Sequence, residues 1–385
     1  RYIRLDHIYD YYDVVSRNNN NQLVFDWSRL DQTICDVYHA GARPFLVLGY
    51  MPPTISKDGS LISPPNDWSQ WRLLVKKTIE RYSGKNSRLC GGVTGEWFNH
   101  IYYEVWNEPD LETFGKWSLY KGEKSYLKLY ENTVKAAEEA ENVHQFYIGG
   151  PVTTALYRNW ILKFLDYIIA KNLRLDFISW HHYTSEVDEY LDDLNKLNYW
   201  LMTDKKYEKY RFRQKIISEW GYDSNPNPIA DTSVGAAHTV AAIINLLKQK
   251  VNLAFSFEIK DGPQPSWGVL SYDGRRKPRY YALKMLNEIG DKQLSLIGEG
   301  TYVRGVASYQ DNTIKLILVN YDKRNSNTEL VPVRFYNLAP GIYDYKQIDI
   351  QGRIRTSIDK VEQGELIKQL LMPPNAVLLI ELTKR

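Results

Sequence analysis

The chain has 385 residues, with 49 Lys and Arg against 46 Asp and Glu, 43% hydrophobic residues and 25% charged ones. That length accommodates one large domain and a smaller one, and a net charge of +3, dispersed along the chain, argues against nucleic acid or an anionic membrane as partner. No apolar stretch approaches the roughly 18 residues of a membrane-spanning helix.

The 30 Tyr and 11 Trp fit ordinary packing, because an aromatic ring buries much area and carries a polar handle. Composition alone favours that reading, although flat rings also stack on the apolar faces of sugars. Cys35 and Cys90 are the only cysteines. They leave two free thiols or one bridge open and offer no metal-ligand spacing; no metal and no cofactor are expected. No secretory leader is visible from Arg1 onward. The compartment and oligomeric state stay open, a secreted or periplasmic setting being favoured over a cytoplasmic one.

In chain order, short apolar runs alternate with amphipathic stretches up to about residue 288. Strands are expected over 2–7, 44–49, 101–107, 146–150, 177–182, 216–219 and 253–258. Helices are expected over 27–40, 68–82, 125–141, 160–171 and 232–248, the last capped by Asp231. Strands each followed by a helix or long loop point to an α/β fold, a (β/α)8 TIM-type barrel over residues 1–290. The count is seven strands rather than eight, so the first strand is missing from this chain or something else fills its place. The tetra-Asn run at Asn18 to Asn21 reads as a loop.

From 291 to 385 the pattern changes to short alternating strands, over 303–309, 313–320, 331–336, 342–348 and 376–382, with turns at Gln310-Asp311-Asn312 and Pro340-Gly341. This is the signature of a small antiparallel β-sandwich domain.

Two strand ends carry chemistry. In Tyr103-Glu104-Val105-Trp106-Asn107-Glu108-Pro109-Asp110 an apolar strand runs into a proline that cannot continue the ladder. Asn107 and Glu108 therefore fall at a carboxyl end, where barrels keep their active sites. The run Lys215-Ile216-Ile217-Ser218-Glu219-Trp220-Gly221 repeats the arrangement. If one strand is missing upstream, Glu108 ends strand four and Glu219 strand seven, across the barrel mouth from one another. Glycoside hydrolysis needs such a pair, one acid to protonate the leaving oxygen and one carboxylate to attack, about 5–5.5 Å apart in a retaining enzyme. Like charges that close cannot both ionise easily, so one member waits protonated. The alternative is two unrelated glutamates in surface ion pairs, which their strand-end positions disfavour.

With these segments the chain resembles glycoside hydrolase family 39, which includes β-xylosidases and α-L-iduronidases within a clan of (β/α)8 retaining hydrolases. The resemblance runs through Ile3-Arg4-Leu5 with Ile8-Tyr9-Asp10, Arg43 to Pro52, Pro64-Pro65 with Trp71, and Glu104 to Leu111. It continues in Gly149-Gly150-Pro151, Ser179 to Tyr183, Ser218-Glu219-Trp220, Trp267 to Leu270 and Lys277-Pro278. It implies Glu108 as acid/base, Glu219 as nucleophile, and Asn107 as the partner of the sugar 2-hydroxyl. It also implies His181 and Tyr183 as a pair lining the sugar site.

There are departures. Where the family tends to carry His after an Arg on strand two, this chain has Asp6, with His7 one position on; a one-residue shift flips a side chain across a strand. Where the family often supplies Trp on the last barrel strand, this chain reads Phe257-Glu258-Ile259-Lys260, and Lys260 would suit a uronate. Asp6, Glu258 and Lys260 are therefore candidate substrate-binding residues that bear on the choice of sugar.

The expected function is a retaining glycoside hydrolase on an oligo- or polysaccharide, working without a cofactor and first of all as an exo-acting β-xylosidase-like enzyme. An endo-acting glycosidase on an exopolysaccharide and an α-L-iduronidase-like enzyme are alternatives. They turn on loops over 52–67 and 91–99, which the residues do not fold by inspection. A non-catalytic carbohydrate-binding barrel is the alternative of another class, against which both glutamates and Asn107 argue.

Overall fold

The structure, a computed structural model, describes residues 2–92, 97, 99–264 and 266–385; most of the segment expected as a loop over 91–99 lies outside them. The chain falls into two compact units. The first comprises residues 1–182, 194–219 and 251–255, and the second residues 183–193, 220–250 and 256–385.

The first unit is built on a seven-stranded sheet. Its elements run β1 (Tyr2–Leu5), a hairpin of β2 (Val15–Arg17) and β3 (Leu23–Phe25), α1 (Ser28–His39), β4 (Arg43–Leu48), α2 (Trp68–Tyr82) and β5 (Ile101–Val105). They continue with α3 (Tyr126–Glu138), β6 (Phe146–Thr153), α4 (Arg158–Lys171), β7 (Phe177–Tyr183), α5 (Asp193–Met202), β8 (Gln214–Gly221) and β9 (Leu253–Ser256). The sheet order is β1-β4-β5-β6-β7-β8-β9, and the pairs from β1 to β7 are parallel. Strand, helix and parallel strand in succession make the (β/α)8-type barrel, with β1 and β9 its outer strands and seven strands among the described residues. The tetra-Asn run turns the hairpin between β2 and β3, where Asn18 accepts the Asn20 and Gln22 amides through its side chain at 3.0 Å.

Every one of the seven strands sends an apolar side chain into one cluster: Phe45, Tyr102, Phe177 and Ile216, with Tyr2, Tyr147, Leu253 and Phe255 packed on them. The Phe45 ring lies 5.4 Å from Tyr102 and 4.8 Å from Phe255, contacts each contributing about 0.5–1.5 kcal/mol beyond area burial. Strand side chains repeat every two residues, so the next layer along the barrel holds Arg4, Glu104, Ser179 and Ser218, and the one beyond it Asp6 and His181. An apolar plug thus carries a polar layer above it, on the side where the strands end.

The helices form where apolar residues recur at helical spacing. In α2 the buried positions are Trp71, Leu74, Val75, Thr78, Ile79 and Tyr82, and Asp67 caps the helix by accepting from the Ser69 amide. Trp71 donates its indole N–H to Thr133 of α3 at 2.9 Å. Truncating Trp71 to Ala would cost about 3–5 kcal/mol through the cavity it leaves. Cys35 on α1 is bridged to Cys90, which closes the question the sequence left open.

In the second unit α6 (Ser233–Gln249) and α7 (Pro278–Leu286) accompany an antiparallel sandwich. Its strands are β10 (Gln293–Leu294), β11 (Val303–Gln310), β12 (Thr313–Asn320), β13 (Glu329–Phe335), β14 (Gly341–Asp349), β15 (Ile354–Val361), β16 (Leu366–Met372) and β17 (Val377–Lys384). One sheet has the order β10-β11-β12-β17-β14-β15 and the other pairs β13 with β16. Between them lie Leu316, Leu318, Phe335, Tyr343, Leu370, Met372, Ile380 and Leu382. Short alternating strands with a single apolar face require such a partner sheet.

Some expectations are corrected. Asp231 is not the cap of α6: Thr232, in extended conformation, takes the Val234 amide on its hydroxyl at 3.2 Å. Asp231 instead ends the preceding 3₁₀ turn Pro228–Asp231 and pairs with Lys277 at 2.7 Å. The strand expected over 101–107 ends at Val105, because Trp106 adopts φ 74° and leaves the β region. The strand expected over 253–258 ends at Ser256, so Glu258 and Lys260 lie beyond it.

Candidate active site

The two informative strands, β5 and β8, deliver Asn107, Glu108 and Glu219 at or just past their carboxyl ends. Backbone there is irregular: Trp106 and Glu108 have φ 74° and 40°, and Val152 beyond the bend in β6 has φ 54°. Such conformations cost about 1–3 kcal/mol each and persist only where neighbours over-determine them. Here the Trp106 indole donates to the Phe114 carbonyl at 2.9 Å, and the Glu108 amide donates to the Val152 carbonyl at 3.1 Å. The Trp106 ring is wedged between Tyr50 and Trp117 at 5.1 and 5.0 Å. Glu108 is aimed by locked backbone rather than by a mobile loop.

Arg4 of β1 organises the polar layer. Its Nε donates to Glu104 at 2.9 Å, one Nη to Glu219 Oε1 at 2.7 Å, and the other to Asn107 Oδ1 at 2.8 Å. The guanidinium fork suits this threefold task. Burial, the largest influence, works against its charge, but Glu104, Glu219 and Asp6 together outweigh it and raise its pKa above the ordinary arginine value. Glu104 is fully buried, so this pair is held out of water.

His181 of β7 lies between the two strand-end carboxylates. Its Nδ1 is hydrogen-bonded to Glu108 Oε1 at 2.8 Å and lies 3.4 Å from Glu219 Oε2. The ring is inaccessible to solvent. Burial opposes its charge most strongly, yet the Glu219 carboxylate and the hydrogen bond to Glu108 win, and its pKa rises above the ordinary histidine value. One donor atom each from Glu108, His181 and Glu219 lies within 4.8 Å of the others. The nearest oxygens of the two carboxylates thus lie inside the about 5–5.5 Å that a retaining pair spans, and short of the wider gap of an inverting pair. Among the described residues this trio is also the one whose spacing suits a cation, and the His181 ring nitrogen sits between the two acids.

Asp6 lies two residues past Arg4 on the same face. It accepts the His7 amide at 2.7 Å on Oδ1 and the Tyr50 hydroxyl at 3.3 Å on Oδ2. Burial, partly offset by Arg4 and His7, raises its pKa above the usual carboxylate value. His7 has φ 53° and turns away to pair with Asp10 at 2.7 Å. It does not stand in for the inward side chain at position 6.

Tyr183, Glu258 and Lys260 belong to the second unit. The Tyr183 ring lies 6.4 Å from Phe257 and fills space that Gly221 leaves, since a Cβ there would come within 3.0 Å of it. Glu258 is fixed by its backbone, its amide donating to the Trp267 carbonyl at 2.9 Å and its carbonyl accepting from Val269 at 2.9 Å. Lys260 is exposed, its Nζ over the Tyr272 ring at 5.5 Å.

Sequence reasoning gave no role to Arg4, Tyr50 or Glu104. The signal for two of them was present: a charge at every second position with an aromatic, as in Tyr2 and Arg4 or Tyr102 and Glu104, on strands otherwise built to be buried.

The family model described as glycosyl hydrolases family 39 matches residues 1–351. A β-xylosidase of Geobacillus stearothermophilus is 27% identical over 333 residues, spanning 77% of this chain and 62% of that protein. The chain thus spans less than two thirds of that relative's length. A β-xylosidase of Caldicellulosiruptor saccharolyticus is 25% identical over 374 residues, covering 88% of this chain and 72% of its own length. Among solved structures, a family 39 enzyme from Xanthomonas axonopodis pv. citri shares the fold with TM-score 0.80 at 18% identity, covering 100% of this chain and 88% of its own. A monomeric β-xylosidase from Caulobacter crescentus does so with TM-score 0.77 at 21% identity, covering 100% and 90%. With its model matched over nearly the whole chain and the fold shared throughout, the chain belongs to glycosyl hydrolase family 39.

Proposed function

We propose that this chain is a retaining, exo-acting β-glycosidase of β-xylosidase type, with Glu108 as acid/base and Glu219 as nucleophile. The observation that carries this reading is the approach of Glu108 and Glu219 to within 4.8 Å at the ends of β5 and β8. Two relatives covering most of the chain are β-xylosidases, which supports the choice of sugar.

In the first step the Glu219 carboxylate attacks C1 of the sugar while Glu108 gives its proton to the departing glycosidic oxygen. The C1–oxygen bond breaks and a glycosyl ester on Glu219 forms. In the second, the Glu108 carboxylate takes a proton from water, whose oxygen attacks C1 and releases Glu219. Arg4 holds the nucleophile in one rotamer, and through Asn107 Oδ1 it orients the amide that meets the 2-hydroxyl. A secreted or periplasmic setting belongs to the same proposal; the Cys35–Cys90 bridge supports it, since such bridges persist in oxidising compartments.

The test is a panel of aryl β-xyloside, β-glucoside, α-arabinoside and α-iduronide substrates, with Glu219→Ala as blank. Turnover of the β-xyloside, with retained anomeric configuration in the first-formed product by NMR, is expected. An inverted product would remove the double-displacement mechanism, and silence on every aryl glycoside from folded protein would remove the exo-acting reading.

A further inference from the structure

We infer that Asp6 selects neutral sugars and rejects sugars bearing a carboxylate, acting as a further acid at the sugar-binding end of the barrel. The inference rests on the glycosidase reading above and sharpens its substrate class.

Three observations carry it. Asp6 is only half-buried, and its Oδ2 has a single long contact, with the Tyr50 hydroxyl at 3.3 Å. It is therefore anchored by the His7 amide on one oxygen and can accept a substrate hydroxyl on the other. It lies just past the end of β1, two residues beyond Arg4, and Arg4 touches Glu219 at 2.7 Å, so Asp6 lies at the same end of the barrel as the nucleophile. Finally, the polar groups gathered there by the described residues of the first unit are unbalanced: Asp6, Glu104, Glu108 and Glu219 against Arg4 and His181. Arg4 is already divided among Glu104, Glu219 and Asn107, and His181 Nδ1 is already engaged between Glu108 and Glu219.

A carboxylate is an acceptor only. It hydrogen-bonds the hydroxyls of a neutral sugar and gains strength from its charge, whereas a uronate brought beside it suffers like-charge repulsion in a partly desolvated site. Asparagine keeps the shape of Asp6 and removes that charge.

The experiment compares aryl β-glucoside with aryl β-glucuronide, which differ at C5 by CH2OH against carboxylate, using aryl β-xyloside as reference. In wild type kcat/KM should strongly favour the neutral substrates. In Asp6→Asn the ratio of glucoside to glucuronide kcat/KM should narrow by about tenfold or more, because the repulsion is gone. Asp6→Ser, with Tm measured for both variants, covers the case in which Asn disturbs folding. Binding of xylose and of glucuronate, followed by calorimetry on wild type and variants, gives the same ratio without turnover. The inference is overturned if the neutral-to-anionic ratio is unchanged in both variants by either readout, or if wild type prefers the glucuronide. Aryl glycosides that all stay silent while the binding ratio shifts would overturn the exo-glycosidase reading and leave the role of Asp6 standing.

Discussion

Arg4 donates to Glu219 through a guanidinium nitrogen at 2.7 Å. The same group holds Glu104, which has no access to water, so one side chain serves both the nucleophile's geometry and the cost of a buried acid. Arg4→Lys keeps the charge but cannot fork to three partners, and turnover of the aryl glycoside should fall about 10²-fold through misplacement of Glu219. Arg4→Met strands Glu104 and should destabilise the fold by about 3–5 kcal/mol. Adding Glu104→Met should restore most of that stability and none of the activity. Denaturant unfolding and turnover on the same samples separate the two effects; recovery of activity in the double variant would contradict the assignment.

The two strand-end acids should fail differently. Glu219→Ala is expected to lose activity by at least about 10³-fold and to be rescued by azide, with a glycosyl azide of inverted configuration as product. Glu108→Ala should slow substrates with poor leaving groups far more than activated aryl glycosides, because only the former need the proton. Equal loss on both kinds of substrate would remove Glu108 from the acid role, and unchanged activity of Glu219→Ala would remove Glu219 from the nucleophile role.

His181 gives a pH signature. Its folded pKa is raised above 6.5, with burial overcome by Glu219 and the Glu108 hydrogen bond, and Arg4 opposing. The folded protein therefore holds this proton more tightly than the unfolded chain. The stability so gained is fully present below the unfolded histidine value and is lost as pH rises through the folded one. Stability to denaturant should decline over that interval above pH 6.5, and His181→Asn should flatten the decline. A variant with the wild-type slope would show that the proton is not shared as the geometry implies.

Much of this was legible in the chain. Apolar runs located all seven barrel strands because parallel strands are buried on both faces, and Glu108 and Glu219 stood out as carboxylates at strand ends, the one followed by a proline and the other by an aromatic. Arg4 and Glu104 were hidden because a lone charge in an alternating strand reads equally well as solvent-facing. Only the register, which places Arg4 opposite Phe45 and Phe45 opposite Tyr102, shows that both point into the barrel interior. The strands β15 and β16 were missed for a related reason: their outward positions include Ile354, Ile358, Ile367 and Leu371, so apolar residues fall on both faces and blur the period of two. The orientation of Asp6 against His7 needed the backbone itself, since the turn to φ 53° at His7 has no marker in composition.

The Cys35–Cys90 bridge joins positions 55 residues apart, with Cα atoms 5.1 Å from one another. It ties α1 to the residues that follow α2, where the described residues 83–92 form no strand or helix. Closing a loop of that length removes conformational freedom from the unfolded chain, and the loss of such a bridge costs about 2–4 kcal/mol. The double variant Cys35→Ser, Cys90→Ser should therefore unfold at lower denaturant concentration by that amount, and dithiothreitol should reproduce the effect on the parent chain but not on the variant. The carboxylates and Arg4 are held from β1, β5 and β8, none of which carries the bridge, so kcat/KM at room temperature should stay within about twofold of the parent, as distant sites behave independently. Loss of activity in step with the bridge, at temperatures where the variant remains folded, would mean that the segment at Cys90 contributes to the sugar site as well as to stability.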